Sequence, residues 1–362
     1  MPAQKETIFI VDDTETNIDI LEEYLHEDYN LHVAMDGETA LREIGKVMPD
    51  LILLDVMMPK MSGYEVCEQL KANEETRDIP VIFLTALSDE MNEGKGLNLG
   101  AVDYITKPFN PKLVGIRVKN HLLIRQHQLH LEDMVDERTK DLKLTLTVMM
   151  ESLGTLAEFR DPETGYHIKA TQAFVKALAT QLSHLPKYKD VLTKEKIESL
   201  FITAPLHDIG KVGVPDSILH KPGPLTPLEF DEIKKHTTYA FRVLGLAAHN
   251  LKNNPIVACA ATIAYTHHEK WDGSGYPNQL KAEEIPLEGR IMALADVYDA
   301  LTRKRVYKDA MSHQKAKEII IAGRGSHFDP DVVDAFLEIA DIFDELRDLD
   351  QYLNNLDGAS AN

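Results

Sequence analysis

The stretch TIFIVDD, residues 7 to 13, is an unbroken apolar run that ends in two carboxylates. Four similar runs follow it along the chain, with amphipathic helical stretches between them: NLHVA (30–34), DLILLD (50–55), VIFLT (81–85) and DYITK (103–107). Strands that are apolar along their whole length are typical of a parallel sheet covered by helices on both faces. Residues 1–123 therefore predict an α/β domain with a doubly wound, five-stranded parallel sheet.

Polar residues stand where these predicted strands end, namely Asp12, Asp13, Asp55, Thr85 and Lys107. In open parallel sheets, ligands bind outside the carboxyl ends of the strands. A lone Asp in such a place is commonly a helix cap. Three carboxylates gathered there would repel one another unless a cation lay between them. The pattern therefore predicts a site for a divalent ion.

The segments IFIVDD, LILLDVMMPKMSGYE, VIFLTA and DYITKPF resemble the receiver domain of two-component response regulators. The resemblance implies that Asp55 accepts a phosphoryl group and that a sensor histidine kinase is a partner. It implies a Mg²⁺ site formed by Asp12 through water, Asp13, Asp55 and the backbone carbonyl of Met57. It also implies that Thr85 and Lys107 contact the phosphoryl group and that Tyr104 is the aromatic switch. An X-Pro bond such as Lys107–Pro108 can be cis at modest cost, and we expect it to be.

Residues 111 to about 156 carry apolar side chains at steps of three and four, which predicts one long helix. We favour a parallel coiled coil that joins two chains in a homodimer. A solvated helix packed on its own domain stays open, because the heptads are imperfect. The predicted organisation is a receiver domain (1–123), a helical linker (124–150), an all-α domain (151–345) and an acidic, partly disordered tail (346–362).

Composition narrows the classes of partner. A formal net charge of -20 over 362 residues argues against nucleic acid, which needs a basic surface. No apolar run reaches the roughly 18 residues of a membrane span, so no membrane insertion is expected. The only cysteines, Cys67 and Cys259, are far apart, which agrees with a reducing, cytoplasmic location. Any metal site must therefore use His, Asp and Glu.

The second domain places several ligand-type residues in apolar surroundings. Helical steps back from His267 and His268 meet only apolar residues, so both imidazoles are expected to point inward. His207 also continues an apolar row, with Asp208 beside it, and Asp296 interrupts the apolar segment IMALADVYDAL. Buried groups of this kind have to be paired or bound to metal.

Glu163 and His167 are four residues apart and share a helix face if DPETGYH begins a helix. Asp161 and Pro162 have the chemistry of a helix start. One such pair more often means a surface hydrogen bond. However, ETGYH, HDIGK, KKH, HHEKWDGSGYP and LADVYDAL together supply His, Asp and Glu from five predicted helices without Cys. That donor set favours Fe or Mn over structural Zn.

The segments RDPETGYH, HDIGK, HHEKWDGSGYP and DALTRKRVYKDAM resemble the HD-GYP family of cyclic di-GMP phosphodiesterases, a branch of the HD metal-hydrolase superfamily. The resemblance implies a cofactor of two or three Fe or Mn ions, although other divalent metals are open. Its ligands would be Glu163, His167, His207, Asp208, His236, His267, His268 and Asp296. Asp208 would bridge two ions, and the adjacent His267 and His268 would serve different ones.

The resemblance also implies substrate contacts. Asp208 and Lys211 would be catalytic, and the phosphates would be held by Lys211, Arg305 and Lys308. Two interpretations of the motif loop, Gly275, Tyr276 and Pro277, are open. It is either a structural turn, or it contacts substrate or a partner such as a GGDEF-type signalling protein.

The expected reaction is attack of a metal-bridging hydroxide on phosphorus, which opens cyclic di-GMP to pGpG, with further cleavage to GMP open. Phosphorylation of Asp55 is expected to regulate it. Two alternatives stand beside this interpretation. One is a non-catalytic module that binds a nucleotide or partner. The other is a phosphodiesterase for another cyclic dinucleotide, such as cyclic GMP-AMP.

Overall fold

The computed structural model describes residues 5–86, 99–158, 166–252, 254–303 and 310–347. The chain forms two compact units, Met1–Thr139 and Lys140–Asn362. The division falls inside the segment 124–150 that the sequence predicts as a linker. The other domain boundaries stay predictions.

The first unit is built on a five-stranded sheet whose order is β2-β1-β3-β4-β5, with every neighbouring pair parallel. The strands are β1 (Thr7–Val11), β2 (Asn30–Ala34), β3 (Leu51–Asp55), β4 (Val81–Ala86) and β5 (Asp103–Lys107). The five predicted strands and their parallel arrangement are thus confirmed. Val11 pairs with Ala34 on one side and Leu54 on the other, so the carboxyl ends of these strands lie side by side.

Helices α1 (Glu15–Leu25), α2 (Gly37–Val47) and α3 (Gly63–Ala72) connect the early strands. Alternate residues of each strand point to opposite faces. Phe9 and Val11 therefore belong to one buried apolar cluster, and Ile8 and Ile10 to the other. This explains why the strands are apolar throughout, as the sequence indicates.

The start of α3 is held against the end of β3. Ser62 and Glu65 form a reciprocal capping box that satisfies backbone N–H groups at the helix start. A Cβ atom at Gly63 would lie 2.1 Å from the backbone oxygen of Asp55. Only glycine allows this approach, which brings α3 beside the Asp55 carboxylate.

A single helix, α4 (Pro111–Glu158), spans 48 residues and confirms the predicted long helix. Near its start, Val114, Val118 and Leu122 are buried in the core of the first unit. Residues 128–145 are all exposed, and they include several large apolar side chains: Leu129, Leu131, Met134, Val135, Leu142 and Leu144. This part of the helix therefore has an apolar surface that the chain itself does not cover.

The second unit is built from helices, as predicted. After the end of α4 they are α5 (Tyr166–Ser183), α6 (Lys194–Thr203), α7 (Asp216–Leu219), α8 (Pro227–Asn250), α9 (Pro255–Thr266), α10 (Leu287–Thr302), α11 (His313–Ala322) and α12 (Pro330–Glu338). Two 3-10 turns, Ala204–Leu206 and Ile209–Gly213, lie between α6 and α7. None of the helices in the described part of the chain is long and apolar enough to cross a membrane.

Aromatic packing forms the centre of the second unit. Phe174 stacks on Phe343 with ring centroids 4.5 Å apart, and Tyr298 meets both rings edge-on. Helices α8 and α9 begin with an Asn or Thr cap followed by proline. Thr226 accepts a hydrogen bond from the Glu229 N–H, and Asn254 accepts from the Val257 N–H. These caps fix where the helices that carry the ligand-type histidines begin.

Candidate phosphorylation site and metal centre

The carboxyl ends of the receiver strands bring an acidic cluster together. Oxygen atoms of Asp12, Asp13 and Asp55 lie within 4.8 Å of one another, with Asp12 and Asp55 buried and Asp13 exposed. The Lys107 ammonium lies 2.7 Å from Asp12 Oδ2 and 3.0 Å from Asp55 Oδ1. Burial raises the pKa of Asp55, although Lys107 opposes the rise. The cluster therefore has one carboxylate open to solvent and two that share a lysine.

The remaining predicted receiver residues surround this cluster. The Met57 N–H donates to Asp55 Oδ1 at 3.4 Å. Thr85 and Tyr104 are half-buried on neighbouring strands, and Tyr104 packs against one of the two apolar clusters. The Lys107–Pro108 peptide is cis, as expected. Their roles in phosphorylation stay predictions.

In the second unit, four imidazole rings are each anchored through Nδ1. His207, His236 and His267 donate from Nδ1 to the backbone carbonyls of their own preceding turns, at 2.7 to 3.1 Å. His167 bonds through Nδ1 to Asp299 Oδ2 at 2.6 Å. A carbonyl or carboxylate oxygen can only accept, so each Nδ1 carries a proton, and Nε2 presents a lone pair in every ring that is neutral. This is the arrangement that orients metal-ligating histidines.

Asp208 lies between these rings. Its Oδ1 is 3.2 Å from His236 Nε2 and 3.6 Å from His267 Nε2. Its Oδ2 is 3.4 Å from His207 Nε2 and 2.8 Å from Lys211 Nζ. The carboxylate therefore faces two groups of ligand atoms with different oxygens.

The first group joins Asp208, His236, His267 and His268, whose ligand atoms lie within 4.8 Å of one another. The second group joins Glu158, His167 and His207 in the same way. In this second group, Glu158 Oε1 is 3.6 Å from His167 Nε2. Asp296 Oδ1 lies beside it, 3.8 Å from His167 Nε2 and 4.0 Å from His207 Nε2. Two adjacent places for a cation result.

Several of these buried atoms have no hydrogen-bond partner within the described residues: Glu158 Oε1 and Oε2, Asp208 Oδ1, His236 Nε2 and His267 Nε2. A buried acceptor without a partner is costly. Here all five atoms are acceptors of the kind that binds divalent metal. The residues present therefore fit a metal centre of more than one ion.

The pKa shifts describe the same site. Burial would raise the pKa of Asp208, but Lys211 and His207 outweigh it and hold this pKa well below its usual value. Burial, followed by the neighbouring imidazoles, lowers the pKa of His268 well below its usual value. Burial also lowers the pKa of His267. An ionised aspartate beside neutral His267 and His268 is the protonation state that metal binding requires, whereas Asp208 outweighs burial and raises the pKa of His207 to about 9, so that a metal would have to displace this proton.

Two residues of this site were missed by the sequence interpretation. Glu158 lies at the end of the linker helix, which was interpreted only as amphipathic. A signal was available, because Gly154 and Ala157 make that face small and apolar. Asp299 stands three residues after Asp296 on an apolar helix, so the spacing placed it on a neighbouring position of the same face.

Some predicted site residues are not described by the structure, and others lie outside the helices on which they were predicted. Glu163, Arg305 and Lys308 lie outside the described residues, as do Asp161 and Pro162. His207, Asp208, His267 and His268 stand just beyond helix ends, whereas the sequence interpretation placed them on helices. Helix α9 ends at Thr266, and α6 ends at Thr203.

The motif loop packs against the first ligand group. The Tyr276 ring centroid is 4.7 Å from that of His268, and burial raises the pKa of the Tyr276 hydroxyl. A Cβ atom at Gly275 would lie 2.3 Å from the Lys270 nitrogen. Glu269 accepts hydrogen bonds from the Asn278 and Leu280 N–H groups. The turn thus needs Gly275 for a close backbone approach, which supports the structural interpretation of that residue.

Comparisons with known proteins agree on the two-part organisation. The model of the response regulator receiver domain matches residues 8–119, and the model of the HD domain matches residues 152–332. A Vibrio cholerae protein named "Probable cyclic di-GMP phosphodiesterase" is 49% identical over 345 residues, which cover 91% of this chain and 77% of that protein. A Thermotoga maritima protein named "Cyclic di-GMP phosphodiesterase" is 35% identical over 363 residues, which cover 95% and 94%.

A third relative differs in its name. The Vibrio cholerae "3'3'-cGAMP-specific phosphodiesterase 2" is 35% identical over 281 residues, which cover 78% of this chain and 50% of that protein. All three resemblances extend across most of this chain, as the two matched domains do. The chain therefore belongs to the HD-domain family, and it carries a response regulator receiver domain on the N-terminal side of its HD domain.

Proposed function

We propose that this chain is a response regulator that hydrolyses cyclic di-GMP, with its metal-dependent active site in the second unit. The observation that carries the proposal is the convergence, in two adjacent groups, of buried acceptor atoms that have no hydrogen-bond partner in the described part of the chain, from Glu158, Asp208, His236 and His267. Relatives that share most of this chain's length are named for the same activity.

Fe or Mn is the cofactor that we propose, held in two or three positions. The donors are imidazole nitrogens and carboxylate oxygens, which suit these metals, and the two cysteines are buried and free. Glu163 and Asp296 are proposed as further ligands. When bound, such ions polarise a phosphodiester and activate water for attack on phosphorus.

The protein's own residues then position the substrate. Asp208 faces both ligand groups, because its two oxygens point to different histidines. Lys211 is held beside it, with its ammonium 2.8 Å from Asp208 Oδ2 and 14% of its side chain exposed. We assign Lys211 to the phosphate of the substrate, together with Arg305 and Lys308. The product is pGpG, with GMP as the product of a second cleavage.

Regulation through the receiver unit is part of the same proposal. Asp55 is the phosphoryl acceptor from a sensor histidine kinase, with Mg²⁺ held by Asp12, Asp13, Asp55 and the Met57 carbonyl. Thr85 and Lys107 contact the phosphoryl group, and Tyr104 is the aromatic residue that changes position on phosphorylation. The exposed apolar side chains of α4 support a homodimer through a coiled coil. The cytoplasm is the proposed location, in agreement with the two free cysteines.

A parallel turnover assay tests the activity. The full chain, purified without oxygen and loaded with Fe²⁺ or Mn²⁺, is incubated with cyclic di-GMP, and pGpG and GMP are separated by chromatography. Wild type should release pGpG, and Asp208→Asn should not. Asp190→Asn, a change at an exposed position of the same unit, is the matched control. Metal-loaded wild type without product would reject the proposal in favour of a non-catalytic binding module.

A second candidate substrate is 3'3'-cyclic GMP-AMP, which the name of one relative favours. The same assay decides between the two dinucleotides when both are supplied separately and together. A larger kcat/KM for cyclic GMP-AMP would replace the first substrate by the second. The metal centre and its ligands would be unaffected by that outcome.

A further inference from the structure

Glu158 is the last residue of α4, and its side chain turns into the second unit. The residue is 2% exposed, and neither carboxylate oxygen has a hydrogen-bond partner among the residues that the structure describes. Among the described residues, His167 lies near it, at 3.6 Å from Oε1 to Nε2. A helix usually exposes a glutamate at its end, so this burial needs an explanation.

The backbone of α4 is packed so that this orientation is enforced. Gly154 and Glu158 are four residues apart and share a helix face. A Cβ atom at Gly154 would lie 2.5 Å from the Pro205 carbonyl oxygen and 3.0 Å from Ile168 Cδ1. The last turn of the helix is therefore pressed against the segment that leads to His207 and against α5, which carries His167. The same face then directs the Glu158 carboxylate toward these two histidines.

Among the residues that the structure describes, the carboxylate faces the inward-directed Nε2 atoms of His167 and His207. His167 and His207 both use Nδ1 to donate outward, so Nε2 is the ring nitrogen that each has left for a ligand. These two Nε2 atoms are 3.2 Å apart, and Glu158 Oε1 completes a group within 4.8 Å. In their unprotonated forms these three groups repel one another unless a proton or a metal ion lies among them. One oxygen and two imidazole nitrogens form a donor set that Fe or Mn accepts.

We propose that Glu158 is a ligand of the second metal position, beside His167 and His207, so that the linker helix itself supplies part of the metal centre. The inference rests on the proposed metal-dependent function. It adds a ligand that is distinct from Glu163, the glutamate that motif spacing suggests. Because α4 begins in the core of the receiver unit, one continuous helix carries both that packing and a metal ligand.

Glu158→Gln is the test, because it keeps the shape of the side chain and removes its charge. The full chain is purified without oxygen, stripped, and titrated with Mn²⁺, and bound metal is measured by elemental analysis. We expect the loss of one ion per chain, or an apparent Kd for one position raised by at least about 10-fold. Glu151→Gln, on the same helix two turns earlier, is the matched control and should bind metal as wild type does.

Thermal unfolding without metal separates a ligand from a structural group. A glutamine in place of a buried, partnerless carboxylate should leave the stripped protein at least as stable as wild type. If Glu158 were instead a hydrogen-bonded structural acid, Glu158→Gln would lower the melting temperature of the stripped protein and leave the metal content unchanged. That result would overturn the inference.

Glu163→Gln provides the remaining comparison. Loss of an ion in Glu163→Gln together with unchanged binding in Glu158→Gln would also overturn the inference. The readout is metal content, so it does not depend on which nucleotide is hydrolysed. If wild type bound metal normally and failed to hydrolyse cyclic di-GMP, the proposed function would fail while the assignment of Glu158 could still be decided.

Discussion

His167 and His207 face each other with their Nε2 atoms 3.2 Å apart, while the Nδ1 atom of each ring bonds outward to oxygen. Two lone pairs at this distance repel each other. A proton or a metal ion between them removes the repulsion. In the absence of metal, the charge of Asp208 outweighs burial and raises the pKa of His207 to about 9. A proton on His207 can therefore take the place of a metal ion between the two rings.

Removing metal should destabilise the second unit. Stripping with a chelator should lower its free energy of unfolding, because the buried acceptors lose their partner. Restoring Mn²⁺ at about 100 times its Kd should raise the free energy of unfolding again by about 2.7 kcal/mol. Trp271 is the only tryptophan and lies in the second unit, so its fluorescence during urea unfolding reports on this unit. Superimposable unfolding curves with and without metal would contradict the prediction.

Asp299→Asn should weaken metal binding without removing a ligand. Asp299 holds Nδ1 of His167 at 2.6 Å, and the Arg303 guanidinium holds Asp299 in turn. An amide in its place no longer fixes the orientation of the imidazole, so metal affinity should fall by about 10- to 100-fold. Titration with Mn²⁺ followed by elemental analysis measures the change. Asp341→Asn, at an exposed position, serves as the control and should not alter affinity.

Gly210→Ala should disturb the turn that carries Asp208 and Lys211. A Cβ atom at this position would lie 1.9 Å from the His236 carbonyl oxygen, which belongs to α8. The turn and the helix would have to separate, at a cost of about 1–3 kcal/mol or more. Urea unfolding monitored by Trp271 fluorescence gives the value.

Gly245→Ala is the matched control for that change, because Gly245 lies inside α8, the helix that Gly210 approaches. Its Cβ atom would meet only the Phe241 ring, at 3.8 Å, which is ordinary contact. Alanine is favoured over glycine inside a helix by about 0.5–1 kcal/mol. Gly245→Ala should therefore be neutral or stabilising. Equal destabilisation by the two changes would show that the close approach at Gly210 is unimportant.

Asp55→Asn should abolish phosphorylation of the receiver unit by a small phosphodonor such as acetyl phosphate. The amide cannot act as the acceptor, and it also weakens the contact with Lys107 at 3.0 Å. Asp19→Asn, an exposed change in α1, should be phosphorylated as wild type is. Electrophoresis that separates phosphorylated from free protein measures both. Phosphorylation of Asp55→Asn at the rate of wild type would place the acceptor elsewhere.

His327 should make the stability of the second unit depend on pH. Burial, reinforced by Lys270, lowers the pKa of His327 from 6.5 to about 4. Between these values the unfolded chain binds a proton that the folded chain does not. The stability contributed by neutral His327 is therefore complete above pH 6.5 and is lost as the pH falls toward 4.

His327→Gln should accordingly reduce the loss of stability between about pH 7 and about pH 5, relative to wild type. Urea unfolding followed by Trp271 fluorescence at the two pH values measures it. His184→Gln, an exposed histidine of the same unit, should leave the loss unchanged. Equal pH dependence in wild type and His327→Gln would show that His327 titrates alike in both states.

Much of the fold could be predicted because its signals are local. The runs that became β1 to β5 are apolar at every position, and only a sheet covered on both faces buries both sides of a strand. The long helix was visible in the spacing of apolar residues after Pro111. The residues at the strand ends followed from parallel topology, which brings Asp12, Asp13 and Asp55 to one edge.

The ligand-type histidines were visible for a similar reason. His207, His267 and His268 follow rows of apolar residues, and a buried polar side chain needs a partner. Their grouping with particular partners was not visible. Asp299 bonds to His167 across 132 positions of the chain. Periodicity indicates which face of a helix is buried, but it does not indicate which buried face of another helix meets it.

By itself, the sequence determined the order of the two domains, the strands of the receiver sheet, the long helix and the types of ligand available to a metal. The tertiary structure decided which of those ligands share a cation position. Glu158 illustrates the difference: in the sequence it is one of many glutamates on an amphipathic helix. The packing of Gly154 against Pro205 turns its carboxylate inward, and this packing joins segments that no local pattern relates.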